Sequence, residues 1–257
     1  MILAVLQARV SSSRLPGKVL MPILGEAMLL RQIERVTKAK FIDKLIVATS
    51  TEPEDDSIAN LCDAKEVFCY RGSLDDVLDR FYQASRIFSP EHVVRLTGDC
   101  PLADSQLIDA VIQFHLAGNY DYSTNALEPT FPDGLDVEVI KYSAVEIAWN
   151  VAKLPSEREH VTLYINQQPG LFKIGIYKND INLSHLRWTV DEPADYELVN
   201  KIYNNLYPAN HNFSTNDILK FLQQNPSLQE SNTQFKRNEG MQNSLLKDTE
   251  VLNSKLL

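Results

Sequence analysis

Three short apolar runs rich in β-branched residues, "ILAVLQA" near the start, "KLIVATS" (44–50) and "HVVRLTG" (92–98), are separated by stretches of helical periodicity. Runs that stay apolar at nearly every position predict strands buried on both faces. Between them, Leu29, Ile33 and Val36 share one helical face, and Val77, Leu78, Phe81 and Ile87 share another. Asp104 precedes "SQLIDAVIQFHLAG" as an N-cap, with Gly118 expected to stop that helix. Such alternation implies an α/β fold, a mainly parallel sheet with helices on both faces. Ligands of these sheets sit beyond the carboxyl ends of the strands. Residues 8–18, 48–51 and 97–101 each follow a strand and therefore share one rim.

The rhythm changes after residue 120. "YDYST", "GLDVEVI", "LFKIGIY" and "LRWTV" read as further strands, interrupted by helical stretches near 142–152 and 157–167. Tyr196, Val199, Ile202 and Leu206 mark the helix after the last of them. From 225 the composition turns to Gln, Asn, Ser and Lys, which predicts a polar tail (225–257), a mobile or partner-dependent helix outside a domain spanning 1–224.

The net charge of −9 over 257 residues argues against a nucleic-acid or anionic membrane partner. Three cysteines without a C-x-x-C pair read as reduced thiols. The opening "MILAVL" lacks a basic flank, and no run of about eighteen apolar residues is present. A cytoplasmic protein is expected.

Against that acidic background, the first loop, "LQARVSSSRLPGKVL", gathers Arg9, Arg14 and Lys18 around a Pro-Gly pair. A triphosphate site needs cations together with backbone N–H groups that can approach closely. Serines 11–13 are small donors, and Gly17 allows positive φ before Lys18. A Walker A loop is excluded, because Ser12 stands at its first glycine and Val19 follows the lysine. "RLTGDCPLAD" sets Asp99 at a strand end, where it either holds Mg²⁺ or shapes a turn. "LRWTVDEPADYELV" sets Asp191 before a helix, as either a second metal carboxylate or an N-cap. "TFPDGLDVEVI" carries Asp133, Asp136 and Glu138, with the last two on one face, for sugar hydroxyls or for solvent. In "PSEREHVTLYI" the acidic residues suit a helix start, whereas Arg158 and His160 point to an anionic ligand.

"QARVSSSRLPGKVL", "RLTGDCPL" and "WTVDEPADYELV" resemble the signature and the two metal-aspartate motifs of the sugar-acid cytidylyltransferases, the synthetases of CMP-Kdo and CMP-sialic acid. "VATSTEPEDD", "RGSLDDVLDRFYQA", "FPDGLDVEV" and "SEREHVTLYI" are similar to a branch of it, the spore-coat polysaccharide biosynthesis cytidylyltransferase-like proteins. The resemblance runs from residue 1 to about 206 and implies a nucleotidyltransferase fold of the glycosyltransferase-A type. By motif, Ala8, Arg9, Ser12, Arg14 and Lys18 would bind CTP, and Ala48, Thr49, Ser50, Arg71, Gly72 and Ser73 would frame its base and ribose. Asp99 and Asp191 would hold Mg²⁺, with Lys18 and Arg14 offsetting charge on the departing pyrophosphate. Thr189 stands where many sialic-acid members carry Asp, leaving a thinner ligand set or one completed by phosphates and water. The acceptor, a sugar acid or sugar phosphate, would meet Asp133, Asp136, Glu138, Arg158, His160 or Arg187, with Arg158 preferred for an anionic group. A homodimer is expected.

Two other functions fit parts of the pattern. A glycosyltransferase consuming a nucleotide-sugar would want an Asp-x-Asp motif, which Asp136-Val-Glu138 imitates loosely. A CTP-binding assembly protein would not need two strand-end carboxylates.

Overall fold

The computed structural model describes residues 1–229, 232–235, 237 and 248. β1 (Ile2–Gln7) leads through a 3-10 turn (Lys18–Leu20) to the short hairpin β2 (Pro22–Ile23) and β3 (Glu26–Ala27), then to α1 (Met28–Val36). Next come β4 (Lys44–Ser50), α2 (Asp56–Ala64), β5 (Cys69–Gly72), α3 (Val77–Arg86), β6 (His92–Thr97) and α4 (Ser105–Gly118). The second half holds β7 (Tyr122–Thr124), β8 (Glu138–Lys141), α5 (Tyr142–Val151), α6 (Pro155–Glu159), α7 (Leu163–Asn166) and β9 (Ile174–Ile176). It closes with α8 (Pro193–Leu206), α9 (Thr215–Gln224) and α10 (Pro226–Gln229).

Among the described residues, seven strands form one sheet in the order β5-β4-β1-β6-β8-β7-β9. β5, β4, β1 and β6 run parallel, while β8 is antiparallel to both β6 and β7. Alternate residues of each central strand serve opposite layers. Leu3, Val5, Ile46 and Val93 pack with α3 and α5 through Phe81 and Val145. Ala4, Leu6, Val47 and Val94 pack with α1, α4 and α8 through Ile33, Ile108 and Val199. Burying each such side chain is worth about 1.5–3 kcal/mol, which is why these strands read as continuous apolar runs.

Four local expectations are corrected. α4 runs through Gly118, and Asn119 takes the left-handed position with φ 47°. Ile87 lies beyond α3 and is 53% exposed, because the helix ends before its face returns to the core. The stretch 157–167 is two helices, since His160 leaves helical geometry and Thr162 turns inward to donate to Glu138 at 2.6 Å. Among the described residues, segment 186–190 carries only one bridge, Asp133 to Arg187, although Trp188 and Val190 are fully buried. The turn facing it requires a glycine. Gly134 has φ 101°, and a Cβ there would lie 2.4 Å from the Thr189 nitrogen.

The predicted tail falls mostly outside the described residues. Those described touch the body: Asn232 Nδ2 donates to the Arg187 carbonyl at 3.0 Å, and Asp248 accepts from the Ser156 N–H at 2.9 Å. No helix among the described residues is long and apolar enough to cross a membrane.

Candidate active site

The loop after β1 is shaped by its own backbone. Val10 accepts from the N–H groups of Ser12 and Gly17 and donates to Asp55 at 2.7 Å. Gly17 adopts φ 73°, and the chain then turns so that Lys18 heads inward with its side chain 9% exposed. Its Nζ donates to Asp99 Oδ2 at 3.1 Å and to Asp191 Oδ1 at 2.7 Å. Burial alone would lower the Lys18 pKa, but Asp99 and Asp191 raise it above its ordinary value. Asp99 is likewise pushed up by burial, yet Lys18 and the Thr97 hydroxyl hold it well below the usual carboxylate range.

The two aspartates are 92 positions apart and are tied together locally. The Val190 N–H donates to the Asp99 carbonyl at 2.8 Å, and so does the Thr189 hydroxyl at 3.3 Å. Asp191 is fixed from below by Arg187, whose Nη2 lies 3.1 Å from Oδ2. Arg187 also binds Asp195, which has no exposed surface, and Asp133 at 3.0 Å. Arg14 Nη2 meets Asp191 Oδ1 at 2.9 Å.

Two cavities meet at this pair. One, of about 580 Å³, is lined by Gln7, Ala8, Arg9, Ser12, Arg14, Lys18, Arg80, Arg95, Asp99, His160 and Asp191. The other, of about 300 Å³, is lined by Arg14, Arg95, Asp99, Asp133, Asp136, Glu138, His160, Arg187, Thr189 and Asp191. Cations outnumber carboxylates along the wall of the first, and carboxylates outnumber arginines along that of the second. Glu138 is matched by Arg95, and Asp136 by Arg237 with Asp133 beside it. Burial raises the pKa of Asp136 to about 6 and also raises Asp133, while it lowers that of His160.

Other expected residues stand apart from these cavities. Thr49 and Ser50 are buried at the end of β4, beside Ala48, and the Ser50 hydroxyl donates to Asp55 at 2.5 Å. Arg71 is occupied with the Ser50 and Glu52 carbonyls and with Asp56 at 2.6 Å. Gly72 and Ser73 lead away from it, Ser73 presenting its carbonyl to Arg80 Nη1 at 2.5 Å. Arg158 donates to Asp76 and to the Trp149 carbonyl, and it faces a separate groove with Arg9 and Glu159. It does not line the carboxylate-rich cavity.

Gln7, Arg80 and Arg95 escaped the sequence reading. Arg80 is 3% exposed, and burial together with Arg9 and Arg95 pulls its pKa down to about 10. The Gln7 Nε2 and Arg80 Nε atoms are buried without a hydrogen-bond partner among the described residues, beside the larger cavity. Buried orphan donors are costly, so this wall suits a ligand rich in acceptor oxygens. The available signal was placement: Arg95 interrupts a buried strand, and Arg80 sits on the apolar face of Val77 and Phe81.

A divalent cation is tested by the same geometry. Asp99 and Asp191 already share one positive charge at Lys18 Nζ, so their oxygens converge on a single cation position. The donor set is all oxygen, as hard divalent ions require. Among the described residues no group of three acids, histidines or cysteines converges to hold a metal.

The family model for Cytidylyltransferase matches residues 3–233. The spore coat polysaccharide biosynthesis protein SpsF of Bacillus subtilis is 33% identical over 234 residues, covering 88% of this chain and 95% of that one. A cytidylyltransferase structure from Leptospira borgpetersenii superposes with a TM-score of 0.85 at 32% identity, covering 92% of this chain and 99% of the other. A CMP:2-keto-3-deoxy-manno-octonic acid synthetase complexed with CTP superposes with a TM-score of 0.61 at 17% identity, covering 79% and 98%, and so shares the fold.

Proposed function

This chain belongs to the cytidylyltransferase family, and on that premise we propose that it transfers CMP from CTP to a sugar acid, releasing pyrophosphate, in the synthesis of a polysaccharide or glycan. The observation that carries this reading is the junction of the two cavities at Asp99 and Asp191, which Lys18 bridges from the larger one. The cationic cavity suits the triphosphate, with Arg9, Ser12, Arg14 and Lys18 against the phosphates. The carboxylate-rich cavity suits a sugar, whose hydroxyls would donate to Asp133, Asp136 and Glu138. The sugar acid, as against a sugar phosphate, takes support from the synthetase whose fold is shared.

The reacting groups meet where the cavities touch. The acceptor oxygen forms a bond to the α-phosphorus as the bond to the pyrophosphate oxygen breaks. Lys18 and Arg14 offset the charge that grows on the leaving group. Asp99 and Asp191 would hold a divalent ion, proposed as Mg²⁺, which supplies charge neutralisation at the α-phosphate. His160 lines both cavities, and burial lowers its pKa, which favours the neutral imidazole that can accept the hydroxyl proton. The bridging of Asp133, Asp191 and Asp195 makes Arg187 a positioning residue for the metal aspartate. Arg158, by its Asp76 contact, would hold α6 and thereby His160 in place. A homodimer working in the cytoplasm belongs to the same proposal, and light scattering of the purified chain tests the dimer.

Pyrophosphate release from each nucleoside triphosphate, with a panel of sugar acids, sugar phosphates and neutral sugars, tests the reaction. Release from CTP with a sugar acid is the expected result. Release that prefers another triphosphate, or needs a sugar phosphate, overturns the donor or acceptor half respectively.

A further inference from the structure

We infer that Lys18 holds the metal's place in the nucleotide-free protein, so that a divalent ion enters only together with a triphosphate. The inference rests on the reading of Asp99 and Asp191 as the metal carboxylates. Three observations lead to it.

Lys18 Nζ bridges Asp99 Oδ2 and Asp191 Oδ1 at 3.1 and 2.7 Å, so an ammonium already uses the lone pairs a metal would need. Asp191 is further occupied, by Arg14 on the same Oδ1 at 2.9 Å and by Arg187 on Oδ2 at 3.1 Å. A divalent ion arriving alone would meet three cations around one carboxylate. Among the described residues, moreover, no third acid, histidine or cysteine joins the pair to complete a metal's ligands.

A triphosphate removes both obstacles at once. Its oxygens supply the missing ligands, and its charge gives Lys18 and Arg14, which line the nucleotide cavity, a new partner. The ammonium of lysine is a compact charge on a flexible four-carbon stem, so it can change partners without moving the backbone. Lys18 thus serves two partners in turn, the carboxylates before the nucleotide binds and the phosphates afterwards. The pair of acids is kept neutralised throughout, with no uncompensated charge in the interval.

The test titrates Mn²⁺ into nucleotide-free protein and follows the free-ion electron paramagnetic resonance signal, alongside circular dichroism to confirm folding. The wild type is expected to show no saturable binding up to roughly millimolar Mn²⁺. Lys18→Met is expected to bind one ion at least about ten- to a hundredfold more tightly, the factor set by removing a charge-assisted pair. Adding Asp99→Asn to that variant should abolish the gain. Saturable Mn²⁺ binding by the nucleotide-free wild type that Asp99→Asn removes overturns the inference, and this arm needs no lysine variant. Failure of folded Lys18→Met to gain binding overturns it too. The underlying reading fails separately if Asp99→Asn leaves unchanged the Mn²⁺ signal of the wild type saturated with CTP.

Discussion

The two rims of the sheet treat some of their aspartates in opposite ways. At the rim away from the cavities, Asp121 accepts from the Lys173 N–H at 2.8 Å and from Lys141 at 2.9 Å. Burial there works to raise its pKa, but those donors bring the net value below the usual range. Asp43 accepts from the Ile2 N–H at 2.7 Å, and the buried His115 is satisfied by His92 and Ser123, each at 3.0 Å. At the cavity rim, Asp133 and Asp136 keep raised pKa values even with arginines beside them, and Gln7 and Arg80 have orphaned donors. One rim closes its hydrogen bonds internally. The other pairs its charges with one another but keeps two carboxyls raised and two buried donors unpaired among the described residues, a pattern expected where a ligand binds.

The largest expected effect separates chemistry from folding at the cavity rim. Asp99→Asn or Asp191→Asn should reduce kcat by about a hundred- to a thousandfold or more. The melting temperature should fall by only several degrees, the cost of weakening the ion pair with Lys18, since no apolar core contact is lost. Steady-state pyrophosphate release and calorimetry on the same preparations check both numbers. A collapse in melting temperature would place these acids with the structural set instead.

The next effect is its mirror image at the far rim. Ser123→Ala strips the partner from His115 Nδ1, in a histidine with no exposed surface. Leaving a buried group unpaired costs about 1–3 kcal/mol, with kcat and both KM values unchanged. The same histidine sets an acid limit. Burial and the neighbouring His92 lower its pKa to about 4, below the value near 6.5 of the unfolded chain. Between those two values the unfolded chain binds the proton that the folded one refuses, so stability falls as pH drops through that window. Urea unfolding of the wild type and of His115→Gln at pH 7 and pH 4.5 measures it, and an equal pH dependence of the two would mean that His115 charges freely.

How much was legible in the sequence follows the same division. The parallel half of the sheet could be read because each strand is buried on both faces, so β4 matches "KLIVATS" residue for residue. Segment 186–190 misled because burial of Trp188 and Val190 resembles a strand even where only one bridge forms. Lys18, Asp99 and Asp191 stood out in short motifs. Their mutual pairing did not, since 173 positions separate Lys18 from Asp191. Arg80 and Arg95 were hidden by lying inside regular elements, where polarity is ordinarily read as exposure. Arg237 lies four positions beyond the end of the family match, in a stretch whose composition resembles a solvated tail.

The smallest effect sharpens the contrast at one carboxylate. Asp136 has a folded pKa of about 6, raised by burial more than Arg237 lowers it. An unfolded aspartate titrates near 3.9. Between those values the folded chain holds a proton that the unfolded chain has released, so stability declines as pH rises through the window and stays reduced above it. Asp136→Asn keeps the shape and removes the charge. The side chain is 32% exposed, so water screens it and the gain at pH 8 should be only about 1 kcal/mol. A gain of that size corresponds to roughly 2–4 °C in melting temperature. At pH 4 the wild-type carboxyl is already protonated, and the difference should vanish. Thermal unfolding of the two proteins at pH 8 and pH 4 decides the matter. Destabilisation by Asp136→Asn at pH 8 would show that the pairing with Arg237 outweighs burial, and Asp136 would then belong with Asp121 among the internally satisfied carboxylates.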